Sequence, residues 1–218
     1  MGNAETQAPA SNPASTPIVA VLAVQGAFIE HEQRLQQLGA ECFELRQAAD
    51  LERPFDALVL PGGESTVQAH LLRELGMLEP LRKKIEAGTP VLGTCAGLIL
   101  LASAIDQESG DMGGRNQELA QKRTRVEGLG TMPITVRRNA YGRQLASFHT
   151  QGAFAGCEVP MTFIRAPFIT QVEDGVKILS ETEGCITGVQ YGKQIGIAFH
   201  PELDDDTFVY EYFLGLIG

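Results

Sequence analysis

The stretch Pro90–Ala102 reads Pro-Val-Leu-Gly-Thr-Cys-Ala-Gly-Leu-Ile-Leu-Leu-Ala and combines three features in one run. Its first residues have the apolar character of a buried strand, and its last residues are typical of an apolar helix. Between them, Cys95 is flanked by Gly93 and Gly97 in a Gly-x-Cys-x-Gly pattern. A strand, a tight turn that carries a nucleophile and a helix are the parts of a nucleophile elbow. The stretch therefore predicts a reactive cysteine at the end of a strand.

The predicted position of Cys95 favours its reactive form. In an elbow the turn is so tight that only small neighbours fit, and the nucleophile projects above the edge of the sheet. Free backbone N–H groups and the dipole at the start of the next helix favour a thiolate there. A buried structural cysteine between two unrelated glycines is the alternative, because the pattern is short. The rest of the chain has to decide between the two.

Composition narrows the class of protein. The 218 residues are enough for one well-packed domain or two small ones, and 44% apolar with 20% charged residues is typical of globular proteins. The net charge of −10 argues against nucleic acid or an anionic membrane as the main partner. There is no secretory signal, no long apolar run and no Cys-x-x-Cys pair among the four cysteines. These features predict a cytoplasmic protein with reduced thiols and no metal site.

Two segments differ from the rest in composition. Residues 1–17 contain almost no bulky apolar side chains, which predicts a disordered tail ahead of one domain over residues 18–218. The opening Met1-Gly2 fits a loose N-myristoylation pattern, and the sequence leaves open whether Gly2 is lipidated. The polar, glycine-containing stretch 106–125 predicts a surface excursion from the domain.

The first half of the chain alternates between strand and helix patterns. Ile18–Val24 is a continuous apolar run of the kind found in central parallel strands. Further strands are predicted at Glu41–Leu45 and Phe55–Leu60, and helices at Ala27–Leu38, Thr66–Leu75 and Leu78–Ala87. This alternation implies an open α/β sheet, mostly parallel, with helices on both faces.

The second half has shorter strand patterns separated by turn sequences. These strands are predicted at Thr131–Arg137, Met161–Ile164, Lys177–Ser180, Gly184–Tyr191 and Gln194–Phe199, followed by a final helix at Asp204–Leu216. In open α/β sheets, ligands bind at the carboxyl ends of the strands. The segments that follow the strands are therefore where a site is expected.

One such segment is Pro61–Thr66, which reads Pro-Gly-Gly-Glu-Ser-Thr and follows the third predicted strand. Two successive glycines let the backbone approach a ligand closely and offer N–H groups to a developing oxyanion. An ordinary glycine turn, in which Ser65 or Thr66 caps the next helix, is the alternative interpretation. By itself the segment favours that alternative.

Another such segment contains His200 and Glu202, two residues apart near the end of the chain. In an extended chain, residues i and i+2 point to the same side, so the two side chains can lie next to each other. A carboxylate there can fix the tautomer of the imidazole and leave its other nitrogen for a nucleophile. The other histidines lie in helical patterns or in a polar stretch; they are His31, His70 and His149. Together with Cys95, the pair predicts a catalytic triad.

These motifs carry a family resemblance. Gly93–Gly97 together with Phe199–Glu202 resembles a class I glutamine amidotransferase, an open-sheet, flavodoxin-like fold with a Cys-His-Glu triad. The stretches that narrow the resemblance to the glutaminase subunit of pyridoxal 5′-phosphate synthase are Leu22–His31, Pro61–Thr66, Gly93–Ile99, Arg138–Gln144 and Phe163–Pro167. The resemblance covers residues 18 to 215. Its departures are the tail before Pro17 and a longer segment between Ile105 and Val126.

The resemblance implies a reaction and the residues that perform it. The reaction is hydrolysis of L-glutamine to glutamate and ammonia, without a metal or an organic cofactor. Cys95 would be the nucleophile, His200 the general base and acid, and Glu202 the partner that orients His200.

The resemblance also implies how the substrate is held. The N–H groups of Ala96 and of Gly62 or Gly63 would form the oxyanion hole. The residues implied to contact glutamine are Gly63, Glu64, Ser65, Arg138, Ile164 and Arg165. An arginine suits the carboxylate of a free amino acid, and Glu64 suits its ammonium group.

A partner is expected, because free ammonia is mostly protonated and soon lost at neutral pH. Residues 18–218 leave nothing over for a synthase domain, so the acceptor enzyme is expected on another chain. The resemblance implies the synthase subunit that builds pyridoxal 5′-phosphate, in a hetero-oligomer with this chain.

Two other classes stay open on sequence alone. One is a cysteine hydrolase or chaperone-like protein of the intracellular-peptidase type, and the other is a non-catalytic regulatory module on this fold. The late His200-x-Glu202 pair and the Gly62-Gly63 loop argue against the first class. The presence of all three triad residue types argues against the second.

Overall fold

The computed structural model describes residues 16–106, 123–125, 127–138 and 147–218. Most of the tail predicted at 1–17, including Gly2, and most of the excursion predicted at 106–125 lie outside the described residues. So does all of the resembling stretch Arg138–Gln144 except Arg138 itself.

Strands and helices alternate along the first half of the chain, and strands dominate the second half. The strands are β1 (Ile18–Leu22), β2 (Glu41–Leu45), β3 (Ala57–Leu60), β4 (Val91–Thr94), β5 (Ala102–Asp106), β6 (Arg123–Arg125), β7 (Met132–Arg137), β8 (Ser147–Phe154), β9 (Cys157–Ile164), β10 (Phe168–Val172), β11 (Lys177–Thr182), β12 (Cys185–Tyr191) and β13 (Gln194–Ile197). The helices are α1 (Phe28–Gln37), α2 (Ser65–Glu74), α3 (Leu78–Glu86), α4 (Ala96–Leu101) and α5 (Phe208–Leu214), with short 3₁₀ turns at Ala48–Glu52 and Pro201–Leu203.

The strand that leads to Cys95 lies in the parallel part of a large sheet. The described strands pair in the order β2-β1-β3-β4-β13-β12-β10-β7-β5-β6, with β11 added to β12. From β2 to β13 neighbouring strands are parallel, and β4 lies between β3 and β13. Beyond β13 most pairs are antiparallel, and β8 and β9 form a separate two-stranded sheet. The predicted α/β fold, with a mostly parallel central sheet, is confirmed.

The central strands are continuous apolar runs because they are covered on both faces. All residues of β3 and β4 are buried, as are the last four of β1. Near the site, Phe199 is fully buried, and its ring meets those of Phe154 and Phe163 edge-on at centroid distances of 6.1 and 5.9 Å. This aromatic packing fixes the backbone next to His200.

Four strands were not predicted from the sequence. One of them, β6, lies in the stretch predicted as a surface excursion. In β8 one face is exposed and the other only half-buried, so its sequence has no apolar run. β10 is a five-residue strand with only one buried residue. β5 continues the apolar run of α4 directly, which is why a helix alone was predicted there.

No helix among the described residues is long and apolar enough to cross a membrane.

Candidate active site

The predicted nucleophile elbow is present around Cys95. β4 ends at Thr94 and α4 begins at Ala96, and Cys95 between them has φ 48° and ψ −95°. This backbone conformation is unfavourable by about 1–3 kcal/mol for a residue with a side chain, and such strain concentrates at functional sites. The N–H of Cys95 donates to the carbonyl oxygen of Ile197 at 2.8 Å, which holds the turn against β13. The fold therefore presents the thiol from a fixed backbone.

The elbow needs a glycine at position 97, where α4 passes against β3. A Cβ there would overlap the backbone carbonyl oxygen of Leu60, which is held in the centre of the sheet. We expect Gly97→Ala to lower the free energy of unfolding by about 3 kcal/mol, measured by chemical denaturation. The control is Gly215→Ala at the end of α5, where a Cβ meets its nearest atoms at 3.4 Å. Equal stability of the two variants would contradict this explanation.

His200 and Glu202 lie side by side, as their spacing predicted. Nδ1 of His200 and Oε1 of Glu202 are 2.7 Å apart, and both residues are buried. The backbone reason is different from the expected one, because β13 ends at Ile197 and Pro201–Leu203 is a 3₁₀ turn rather than extended chain. The N–H of His200 donates to the carbonyl oxygen of Thr162 at 2.8 Å and anchors this turn to β9.

The surroundings of the pair favour a charged imidazolium and a charged carboxylate. Burial opposes protonation of His200, but its interactions with Cys95 and Glu202 outweigh burial and raise the pKa of His200 to about 10. Burial also opposes ionisation of Glu202, yet His31 and His200 together hold the pKa of that carboxyl below its ordinary value. Nε2 of His200 is buried and forms no well-aligned hydrogen bond within the described ranges, which leaves it available to the thiol.

His31 also lies at this site, although its place in a helical pattern had favoured His200 over it. Its Nε2 lies 3.2 Å from Oγ1 of Thr94 and 3.5 Å from Oε2 of Glu202, and its Nδ1 lies 2.8 Å from the hydroxyl of Tyr210. His31 and Leu35 are the two buried residues of α1, four positions apart on one face. The position of His31 on the same helix face as the apolar Leu35 is the sequence feature that could have predicted its burial.

The Gly62-Gly63 loop lies directly against Cys95 and His200. A Cβ on Gly62 would be 2.5 Å from Cε1 of His200 and 3.6 Å from Cβ of Cys95. A Cβ on Gly63 would overlap Oε1 of Gln25, which accepts a hydrogen bond from the N–H of Glu64 at 2.8 Å. Both positions therefore require glycine.

Glu64 is the capping residue of α2, in place of the expected Ser65 or Thr66. Its carboxylate accepts hydrogen bonds from the N–H groups of Thr66 at 3.0 Å and Val67 at 2.7 Å. Burial works against ionisation, but these donors, helped by the charge of Arg138, lower the pKa of Glu64. A fixed negative charge thus stands at the start of α2.

The predicted site residues line one cavity of about 490 Å³. They are Gly62, Gly63, Glu64, Ser65, Cys95, Arg138, Ile164, Arg165, His200 and Glu202. Only Ala96 of the predicted set is absent from this lining, and it is buried at the first position of α4. Six further lining residues were not predicted; they are Gln25, Gly26, Ala27, Ile99, Pro167 and Leu203.

The cavity combines both signs of charge. Nη1 of Arg138 donates to Oγ1 of Thr66 at 3.1 Å, and Arg165 follows β9 with a left-handed φ of 43°. Two arginines and Glu64 around one small cavity suit a ligand with a carboxylate and an ammonium group. In the described part of the chain, no group of three His, Cys, Asp or Glu side chains is arranged to hold a metal ion.

Comparison with known proteins agrees with the fold and with the predicted resemblance. The chain is 54% identical over 201 residues to the pyridoxal 5′-phosphate synthase subunit PdxT of Desulfitobacterium hafniense strain Y51, covering 92% of this chain and 93% of that protein. It is 51% identical over 201 residues to the subunit of the same name from Methanocorpusculum labreanum, covering 92% and 97%. A crystal structure of a glutamine amidotransferase matches with a TM-score of 0.79 and 38% identity, over 92% of this chain and 98% of that one.

The family match itself extends over nearly the whole chain, from residue 21 to residue 217. It includes the elbow, the glycine loop and the His-x-Glu turn, so the similarity is not limited to one motif. On these grounds the chain belongs to the SNO glutamine amidotransferase family.

Proposed function

We propose that this protein hydrolyses L-glutamine to L-glutamate and ammonia through Cys95, His200 and Glu202. One observation carries the proposal: the three residues line one cavity together with Arg138, Arg165 and Glu64. Such a cavity suits a free amino acid, and a cysteine at a nucleophile elbow suits attack on its side-chain amide. Membership of a glutamine amidotransferase family supports glutamine as that amino acid.

The cavity offers a group for each end of the substrate. We assign the α-carboxylate of glutamine to Arg138 or Arg165 and its ammonium group to Glu64, whose lowered pKa keeps it ionised. The remaining contacts are assigned to Gly63, Ser65 and Ile164, which line the same cavity. The side-chain amide then points to Cys95.

The first chemical step forms a thiolate and an imidazolium by transfer of the Cys95 proton to His200. The pKa of His200, raised to about 10, makes the imidazole a good acceptor for this proton. The sulfur attacks the amide carbon, and the resulting oxyanion accepts hydrogen bonds from the N–H of Ala96 and from Gly62 or Gly63. The N–H of Ala96 is free for this role, because the first N–H groups of a helix have no acceptor within it. Each such donor is worth about 3–4 kcal/mol of barrier.

The remaining steps return the site to its starting state. His200 gives its proton to the leaving nitrogen, ammonia departs, and Cys95 is left as a glutamyl thioester. Water then attacks the thioester while His200 accepts a proton from it, glutamate departs, and His200 returns that proton to the sulfur. Glu202 stays ionised throughout and stabilises the imidazolium. One glutamine and one water become one glutamate and one ammonia.

We further propose that the ammonia is consumed by a separate synthase subunit that makes pyridoxal 5′-phosphate, in a hetero-oligomer with this chain. The name of the relatives, a subunit of pyridoxal 5′-phosphate synthase, supports this partner. All four cysteines are free thiols, which supports the cytoplasm as the location of the complex.

The test is reconstitution with a synthase subunit from a relative's complex. Glutamine should support pyridoxal 5′-phosphate formation only when this chain is present, whereas an ammonium salt should support it without the chain. Glutamate should be released in equal amount to the ammonia consumed. No glutamate release in the reconstituted complex would refute the proposed hydrolysis. Release of glutamate without formation of pyridoxal 5′-phosphate would refute only the proposed partner, not the hydrolysis.

The contacts of the glycine loop suggest how a partner would control the reaction. The carbonyl oxygen of Gly62 accepts from the N–H of Ala27 at 3.3 Å, and Gln25 holds the N–H of Glu64. The buried amide of Gln68 donates to the carbonyl oxygens of Gln25 at 2.9 Å and Pro61 at 3.2 Å. These hydrogen bonds connect the end of β1 with the Gly62-Gly63 loop. A partner that contacts the end of β1 can therefore reorient a peptide group of this loop.

We therefore expect the isolated chain to hydrolyse glutamine poorly and the synthase subunit to raise kcat about 100-fold, the effect of one oxyanion donor. A donor to the oxyanion acts in the transition state and little in ground-state binding, so KM should change much less. Steady-state kinetics with and without the synthase subunit measure both constants. Full activity of the isolated chain, or activation only through KM, would mean that the oxyanion hole is already formed.

A further inference from the structure

We propose that His31 is a positioning residue of the triad, and that buried polar contacts from Tyr210 through His31 keep Glu202 charged and in place. This inference rests on the proposed glutamine hydrolysis. It extends the Cys-His-Glu unit by two residues on the side away from the substrate cavity.

His31 lies where two parts of the catalytic unit meet. One face of α1 brings its Nε2 within 3.5 Å of Glu202 and within 3.2 Å of Thr94, the residue that precedes the nucleophile. Its Nδ1 is bound to the hydroxyl of Tyr210 on α5 at 2.8 Å. The side chains of His31, Glu202 and Tyr210 are all excluded from solvent. One imidazole therefore connects the helix α5 with both ends of the triad.

The partners determine which nitrogen of His31 carries the proton. Burial raises the pKa of Tyr210 well above its ordinary value, so its hydroxyl keeps its proton and donates. Nδ1 of His31 is then the acceptor, and in the neutral ring the proton is on Nε2. That N–H points to the side of Thr94 and Glu202.

The free oxygen of Glu202 needs this donor. Oε1 is bound to His200, while Oε2 is buried without a hydrogen-bond partner among the described residues and lies 3.5 Å from Nε2 of His31. An uncompensated carboxylate oxygen in such a place would favour protonation of Glu202, and a neutral Glu202 would no longer stabilise the imidazolium.

His31 acts on Glu202 as a neutral dipole. The charged or titratable groups that act on it are Glu202, His200 and Glu30, and its burial outweighs the two carboxylates and lowers the pKa of His31. A neutral ring at pH 7 can still donate from Nε2, so it supports the carboxylate without competing for its negative charge.

The position of His31 predicts a specific kinetic pattern. It is not among the residues that line the substrate cavity, so its loss should leave KM nearly unchanged. We expect His31→Leu to lower kcat by about 10- to 100-fold, as for other residues that orient a reacting group. Because Glu202 would support the imidazolium less well, the basic limb of the pH profile of kcat/KM should move down by about one pH unit.

The experiment is done on the complex with the synthase subunit, between about pH 6 and pH 11. His31→Gln keeps an amide N–H near the place of Nε2 and should recover most of kcat and of the pH profile. His70→Leu is the matched control, because His70 is an exposed histidine on a helix and its only described ion pair is with Glu74. It should behave as wild type.

A merely structural role for His31 would lower the amount of active enzyme without moving the basic limb. An unshifted limb in an active His31→Leu variant, with wild-type hydrolysis intact, would overturn this inference and leave the proposed function standing. If His31→Leu does not fold, Tyr210→Phe gives the test, since it removes only the hydroxyl that fixes the tautomer. A downward shift of its basic limb supports the proposal, and an unchanged profile overturns it. Absence of hydrolysis in the wild-type complex would instead refute the proposed function.

Discussion

Cys95→Ala should abolish partner-stimulated glutamine hydrolysis, with a loss of at least about 10⁴-fold, and leave the fold unchanged. Alanine keeps the Cβ of the residue and removes only the sulfur, so the strained turn at φ 48° has the same side-chain contacts with the backbone. The residue is almost fully buried, and no hydrogen bond of the described backbone depends on the thiol. The change therefore affects the chemistry and little of the packing.

Glutamate release by the reconstituted complex measures the loss, and thermal unfolding with binding to the synthase subunit measures the fold. Cys157→Ala is the matched control, because Cys157 is exposed and far along the chain from the elbow. More than a trace of activity in Cys95→Ala would show that another residue is the nucleophile.

Alkylation by a reactive glutamine analogue provides a second readout of the same prediction. The label should attach to Cys95 and spare the other three thiols. Cys42 is a poor nucleophile, since burial, together with the nearby Glu32, raises its pKa to about 12. Cys157 and Cys185 have no described histidine bound to them. Peptide mapping that finds the label elsewhere would contradict the assignment.

The elbow and the proximity of His200 to Glu202 could be predicted from sequence because their geometry is local. A Gly-x-Cys-x-Gly pattern indicates an elbow only between a strand and a helix. The apolar runs on both sides of Gly93–Gly97 predicted these two elements. The separation of two residues between His200 and Glu202 was enough to make them neighbours, although the backbone there forms a turn rather than a strand. Two residues at this spacing can place their side chains next to each other in a turn as well as in a strand.

What could not be predicted depends on contacts between distant parts of the chain. Nothing in the helical pattern of His31 indicates that α1 faces Glu202, 171 residues further along the chain and in contact through Nε2. The capping role of Glu64 was hidden for another reason, because serine and threonine are the usual caps and both follow it directly. Gln25 became part of the site only when β1 and β3 paired as neighbours.

His200→Asn should be nearly as damaging as the loss of Cys95, with a decrease in kcat of at least about 10³-fold. Asparagine can still offer an amide N–H to Glu202, so the turn at Pro201–Leu203 keeps its shape. It has no group that can hold a proton at neutral pH and then deliver it to the leaving ammonia. In the wild type that proton is held by an imidazole whose pKa is raised to about 10.

Substitutions of His200 and of Glu202 should differ in their effect on kcat. Glu202→Gln keeps the size and one hydrogen-bonding oxygen of the side chain and removes the charge that stabilises the imidazolium. Since Glu202 orients His200 and does not itself move the proton, we expect Glu202→Gln to be at least about tenfold less damaging than His200→Asn. Removal of that charge should also lower the pKa of His200, so the remaining activity should disappear at lower pH than in the wild type.

Glutamine hydrolysis by the complex, followed from about pH 6 to pH 11 for each variant, separates these roles. His70→Asn serves as the control, because His70 is exposed and lies outside the residues that line the cavity. A general acid and base cannot be replaced by asparagine at any pH, so activity of His200→Asn equal to wild type across this range would remove His200 from the mechanism. Glu202→Gln as inactive as His200→Asn would mean that the carboxylate does more than orient its neighbour, and that the charge of the pair is itself required for the attack by Cys95.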